Sequence, residues 1–255
     1  MSQAVLITGA SSGIGFELAK HYVAQGWQVI ACGRNAQQLA LLSGVHPLVF
    51  DITDASQVKA AGEQLAHVIA QHDLSLSAVI LNAGTCEYID DVIKFDSALF
   101  QRVIHTNVIA TGYCLEAFLP QLAAGGRLAL MSSSATFLPF SRAQAYGASK
   151  AAITYLADSL RVDLVSRNIG VSVINPGFVE TPLTDKNDFA MPMRISAQQA
   201  AQAIYKGMIN GKSDIHFPKK FTWLLKLFSL LPNAWITRAL APKPALQHNE
   251  TRKMS

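Results

Sequence analysis

Short runs of apolar, largely β-branched residues recur along the chain at 4–8, 28–33, 46–50, 76–81, 126–131, 171–175 and 214–217, and helix-length segments separate them. Strands that alternate with helices are joined by right-handed crossovers, so the chain must build a parallel sheet with helices on both faces. The runs agree: Ala78-Val79-Ile80-Leu81 and Leu128-Ala129-Leu130-Met131 are apolar without a break, as strands buried on both faces must be. Helices are predicted near 13–25, 36–42, 56–71, 98–119, 146–167 and 196–210. With 255 residues, half of them hydrophobic and only 15% charged, the chain is large and apolar enough for one α/β domain with a sizeable core and does not read as disordered.

Cys32, Cys86 and Cys114 are widely spaced and form no C-x-x-C pattern, which argues against a disulfide framework and against a zinc site. No metal is expected, and the scattered histidines are read as non-catalytic. The first apolar run begins at Ala4, which leaves no room for a cleaved signal peptide. A cytoplasmic protein is predicted. The net charge of +4 comes from residues 212–255, where Lys212, Lys219, Lys220, Lys226, Arg238, Lys243, Arg252 and Lys253 outnumber Asp214 and Glu250. A nucleic-acid enzyme would carry a basic stripe across its core fold, so no nucleic-acid partner is expected.

Thr8-Gly9-Ala10-Ser11-Ser12-Gly13-Ile14-Gly15 follows the first strand directly and opens a helix. Glycines let the backbone turn tightly and approach a phosphate, and the helix start offers unpaired N–H groups to that anion. The spacing is G-x-x-x-G-x-G, not the general G-x-G-x-x-G. Further on, Tyr146-Gly147-Ala148-Ser149-Lys150 sets a phenol and an ammonium four apart, on one face of a helix. By these motifs the chain resembles the short-chain dehydrogenase/reductase family over roughly residues 4–210.

The resemblance implies a single-domain α/β protein of Rossmann type: doubly wound, with a seven-stranded parallel sheet in the order 3-2-1-4-5-6-7. Residues 1–210 would form the nucleotide-binding and catalytic core, 177–195 a substrate lid rich in Phe, Met and Pro, and 215–255 an apolar, basic extension. It also implies a nicotinamide cofactor. Gly9, Ser11, Ser12, Gly13, Ile14 and Gly15 would line its pyrophosphate. Asp51, with Ile52 beside it, resembles the residue that contacts the adenine amino group, and Asn82-Ala83-Gly84 resembles the family's structural turn. In Asn175-Pro176-Gly177-Phe178-Val179-Glu180-Thr181, Pro176 and Gly177 make a turn, while Thr181 and the Val179 backbone would bind the nicotinamide carboxamide.

The second strand ends Cys32-Gly33-Arg34. An acidic residue at the end of this strand usually holds the ribose 2′-OH of NAD. Gly33 stands where an NAD-type member would usually carry Asp, and the Arg34 guanidinium matches a 2′-phosphate. NADP(H) is therefore the predicted cofactor.

Reducing a ketone needs a hydride on carbon and a proton on oxygen. The Tyr146 phenol can donate that proton, but its ordinary pKa is about 10, and bringing it to roughly 7 takes about 4 kcal/mol. An ammonium about 4 Å away supplies about that much at an effective dielectric near 20. Lys150 is expected to act in this way and to hold the nicotinamide ribose. Ser133, thirteen residues before Tyr146, completes the family resemblance as donor to the developing alkoxide. Asn107 completes it as holder of a water that links Lys150 to solvent. An idle NADP(H)-sensing protein on the same fold is the alternative, and retention of Ser133, Tyr146 and Lys150 speaks against it. An epimerase or dehydratase relative would usually need a larger substrate domain.

Phe137, Leu138, Phe140, Phe178, Phe189, Met191 and Met193 read equally well as an apolar substrate pocket and as ordinary core. Residues 221–231 are apolar except for Thr222, Lys226 and Ser229, a narrow polar stripe on a greasy helix too short to span a bilayer, which needs about 20 residues. This helix could cover the pocket, form an oligomer surface, or make peripheral membrane contact through 219–238. A homodimer or homotetramer is expected by family resemblance.

Overall fold

The computed structural model describes residues 1–241. Lys243, Glu250, Arg252 and Lys253 lie outside the described residues. The strands are β1 (Ser2–Thr8), β2 (Gln28–Gly33), β3 (Val45–Val49), β4 (Leu74–Leu81), β5 (Arg127–Met131), β6 (Gly170–Pro176), β7 (Val179–Glu180), β8 (Ile195–Ser196) and β9 (Asp214–Phe217). The helices are α1 (Gly13–Ala24), α2 (Ala36–Leu39), α3 (Ala55–Gln71), α4 (Ser97–Ile104), α5 (Ala110–Phe118), α6 (Gln144–Leu164), α7 (Ala197–Ile209), α8 (Lys219–Phe228) and α9 (Asn233–Leu240).

Seven strands form one parallel sheet in the order β3-β2-β1-β4-β5-β6-β9, while β7 and β8 pair separately. This is the expected order, with β9 as the seventh sheet strand. The sheet therefore closes with a strand from the stretch read as an extension.

Alternation along each strand feeds two cores. Ala4 and Leu6 of β1 face a cluster that includes Leu65 of α3, Phe118 of α5 and Ile153 of α6. Val5 and Ile7 face the opposite cluster, with Leu18 and Tyr22 of α1 and Ile204 of α7. Local chemistry starts several helices. Asp54 accepts from the Ser56 and Gln57 N–H groups at the head of α3, and Ser196 with Gln199 makes a capping box on α7. The start of α1 differs, because Ser12 makes no side-chain cap. Its first N–H groups are left for another acceptor.

The single helix expected over 98–119 is divided. A π-helical turn, His105–Ile109, separates α4 from α5 and contains the buried Asn107. The extra residue in such a turn re-aims a side chain that regular spacing would place elsewhere. The three longest connections at the carboxyl edge of the sheet follow β4, β5 and β6.

Candidate active site

The glycine turn is folded against the end of β4. Gly9 and Gly13 have φ of +69° and +54°, a region that favours glycine. Asn82 Nδ2 donates to the Thr8 carbonyl at 2.9 Å, and the Asn82 and Ala83 N–H groups donate to Thr8 Oγ1 at 3.0 and 3.1 Å. A Cβ on Gly15 would stand 2.2 Å from the Gly9 carbonyl oxygen. Gly15→Ala is therefore expected to destabilise the protein by about 3 kcal/mol. In a thermal melt this is a fall of roughly 10 °C. An unchanged midpoint would show that the turn relaxes freely.

Across the turn, a Cβ on Gly13 would come within 3.2 Å of Thr181 Cγ2, so the segment after β6 closes on the glycine loop. A shallow cleft of about 290 Å³ opens there, bordered by Ser11, Ser12, Gly13, Phe16 and Pro182. A larger apolar depression, of about 480 Å³, lies against α5 and the end of α6 and carries none of the predicted site residues. With its bare helix start and close-packed glycines, the loop after β1 fits a dinucleotide pyrophosphate.

At the far end of this floor, Arg34 is 75% exposed and meets Asp51 Oδ2 at 3.4 Å. Burial alone would raise the Asp51 carboxyl. Bonds from the Thr53 N–H and hydroxyl, and the charge of Arg34, hold it below its ordinary value. Gly33 touches Ser11: a Cβ there would meet Ser11 Oγ at 3.1 Å. Ile52 continues the loop after Asp51 and packs partly buried against the core.

The predicted catalytic residues converge on the carboxyl edge of β4 and β5. Ser133 follows β5 and caps a short 3₁₀ turn, accepting from the Ala135 N–H at 3.1 Å. Tyr146 sits in the first turn of α6, with Lys150 one turn on. Burial and the neighbouring Cys86 push the Tyr146 phenol above its ordinary pKa, and the nearby Ser133 hydroxyl, which pulls the other way, does not offset them.

Lys150 is buried at the same edge. Its Nζ donates to the Met131 carbonyl at 2.9 Å and lies 5.7 Å from the centre of the Tyr146 ring. Burial disfavours its ammonium and lowers its pKa to about 8, with Cys86 pulling weakly the other way. The low-dielectric surroundings thus favour the neutral forms of both phenol and ammonium.

Asn107 is held on three sides. Its Oδ1 accepts from the Thr85 N–H at 2.8 Å, and its Nδ2 donates to the Thr85 carbonyl and to Ser149 Oγ, both at 2.9 Å. It ties the π turn to the loop after β4 and to α6, which fixes the helix carrying Tyr146 and Lys150. A Cβ on Gly84 would meet both Asn107 Oδ1, at 3.0 Å, and Lys150 Nζ, at 3.3 Å, so only glycine fits there without displacement.

Sequence reasoning missed three residues here. Cys86 lies beside Tyr146 and Lys150, its thiol pKa raised by burial, and Tyr88 follows two residues on. Arg142, at φ +66°, joins the loops: it donates to Asp90 and Asp188 at 2.8 Å each and lies 5.5 Å over the Tyr88 ring. The available signal was position, since Cys86 and Tyr88 come just after Asn82-Ala83-Gly84 at a carboxyl strand end. Phe189 packs edge-on to Tyr88 and Phe178, while Met193 points largely to solvent. Phe137, Leu138, Phe140 and Phe178 form a cluster with Phe221, Leu225 and Ile236, so α8 and α9 cover them. Pro176 ends β6, the Gly177 N–H donates to the Phe217 carbonyl at 2.6 Å, and the buried Val179 lies in β7.

A doubly wound parallel sheet whose carboxyl edge carries a glycine phosphate turn beside a Ser-Tyr-Lys cluster defines a dinucleotide-type oxidoreductase. Comparison with known proteins agrees. The short chain dehydrogenase family model matches residues 3–191, and this chain belongs to that family. An uncharacterized oxidoreductase of Myxococcus xanthus is 34% identical over 241 residues, which cover 89% of this chain and 92% of the relative. A short chain dehydrogenase from Burkholderia cenocepacia, solved in complex with NADP, has a TM-score of 0.82 at 21% identity and covers 95% of this chain and 98% of its own. Another from Burkholderia phymatum, solved in complex with NAD, has a TM-score of 0.78 at 18% identity and covers 89% and 92%. Among the described residues, no helix is long and apolar enough to cross a membrane.

Proposed function

We propose that the chain is an NADP(H)-dependent oxidoreductase that reduces the carbonyl of an apolar small molecule, or oxidises the matching alcohol. The convergence of Ser133, Tyr146 and Lys150 beside the glycine turn carries this reading. NADP(H) would lie from Arg34 and Asp51, across Gly13 and Asn82, to Val179 and Thr181, and it supplies or accepts the hydride. Ser133 donates a hydrogen bond to the substrate oxygen. Tyr146 gives the proton in the reduction direction, and a phenol kept neutral by burial is in the right state to give it. Lys150 orients the cofactor ribose. Asn107 acts through the water chain that returns protons to Lys150. The proposed working form is a cytoplasmic homo-oligomer, assembled through the α6 face where Tyr155 and Val162 stand exposed.

The shifted lysine gives a pH signature. Because burial lowers Lys150 to about 8, its ammonium is intact below that pH and lost above it. NADPH affinity is expected to fall as pH rises through about 8, and Lys150→Met should remove that step. A fluorescence titration of NADPH binding against pH checks this, and a flat profile in the unaltered protein would rule out the assigned role.

An NADPH-consumption screen across fatty acyl, steroid, sugar and aromatic carbonyls, with Tyr146→Phe as the blank, tests the whole assignment. Turnover that disappears in the blank supports it. Tight NADPH binding with no turnover in any class would favour the idle sensor.

A further inference from the structure

Helix α8 turns Phe221, Thr222, Leu225 and, in part, Lys226 toward the protein. Thr222 is buried, with its hydroxyl bonded to His216 Nδ1 at 2.6 Å and to the Pro218 carbonyl at 3.0 Å, and Lys226 pairs with Asp214. Thr222 and Lys226 of the polar stripe are thus spent on β9, while Ser229 is exposed. A second apolar face is left outward: Trp223 is 61% exposed, Leu227 65%, Leu230 80% and Trp235 66%, and Leu224 and Phe228 are exposed as well. Large exposed apolar side chains gathered on two consecutive helices mark an interaction site.

Charge decides the partner. No Asp or Glu occurs between Asp214 and Glu250, while Lys219, Lys220 and Arg238 flank the apolar residues and are exposed. We propose that α8 and α9 dock this protein on the surface of an anionic lipid bilayer. The two helices have ten and eight residues and lie in the interface without crossing it. Exposed tryptophans suit the headgroup level, and the cations suit anionic lipid. A second copy is the poorer occupant, because a two-fold interface through this face would bring like cations together. The inner face of α8 reaches the site loop: Phe221 packs on Phe178, with ring centres 5.4 Å apart. The docked face therefore lies one helix away from the segment after β6.

Co-sedimentation of the full chain with phosphatidylcholine vesicles, with and without phosphatidylserine, tests this. Binding is expected only with phosphatidylserine, weakening with salt and accompanied by a blue shift of tryptophan emission. The exposed pair Leu227→Glu with Leu230→Glu should abolish it with the thermal midpoint unchanged. Lys220→Gln with Arg238→Gln should weaken partition by about thirtyfold, at about 1 kcal/mol per cation. No binding to the phosphatidylserine vesicles would overturn the proposal, as would equal, salt-insensitive binding to both vesicle types. A dimer that Leu227→Glu dissociates, with no vesicle binding, would assign the face to a second copy.

Discussion

Tyr146→Phe is expected to lower kcat by about a thousandfold while leaving the NADPH dissociation constant within about twofold, because a positioned general acid contributes roughly 10² to 10⁴ in rate. The change deletes one oxygen. Lys150 keeps its bond to the Met131 carbonyl, and Asn107 keeps its three bonds, so the shape of the site survives. Steady-state kinetics on any carbonyl found in the screen, together with cofactor titration, would separate the two effects. A variant with near-normal kcat would end the mechanism. One that lost NADPH binding in parallel would show that the ring, and not its hydroxyl, does the work.

Arg34→Ala is expected to weaken NADPH binding by roughly 10- to 100-fold while leaving NADH nearly unchanged, the range for losing a charge-assisted hydrogen bond of about 1.5–3 kcal/mol. The guanidinium is largely exposed, and its 3.4 Å pairing with Asp51 is long, so it can turn to a phosphate at little cost. The same change removes a cation that holds the Asp51 carboxyl down. Cofactor affinities measured for both dinucleotides would decide the matter: equal losses would refute a 2′-phosphate role and assign Arg34 to the fold of the loop.

Much of the frame is legible in the sequence. The strand runs, their order and the glycine turn depend on local rules, because apolar continuity reports burial on both faces and positive φ selects glycine. Tyr146 and Lys150 share a helical face for the same reason. Asn107 was placed in a helix that proves to be interrupted, since a π turn leaves no residue-type signature. Cys86, Tyr88 and Arg142 escaped notice because each acts through a partner far away in the chain. Arg142, for instance, binds Asp90 and Asp188, 52 and 46 residues distant.

The sequence by itself determined the sheet, its carboxyl edge and the residue types gathered there, because helical and strand periodicities and the demands of a tight turn are set by neighbours in the chain. Tertiary structure alone decided how dry the site is, and so in which direction Tyr146 and Lys150 shift. It also decided which face of α8 turns inward. Periodicity shows that α8 has a polar stripe, but not where the stripe points. Its direction is fixed by His216 and Asp214 on the neighbouring strand, whose bonds hold Thr222 and Lys226 against the sheet and leave Trp223, Leu224, Leu227 and Phe228 outside.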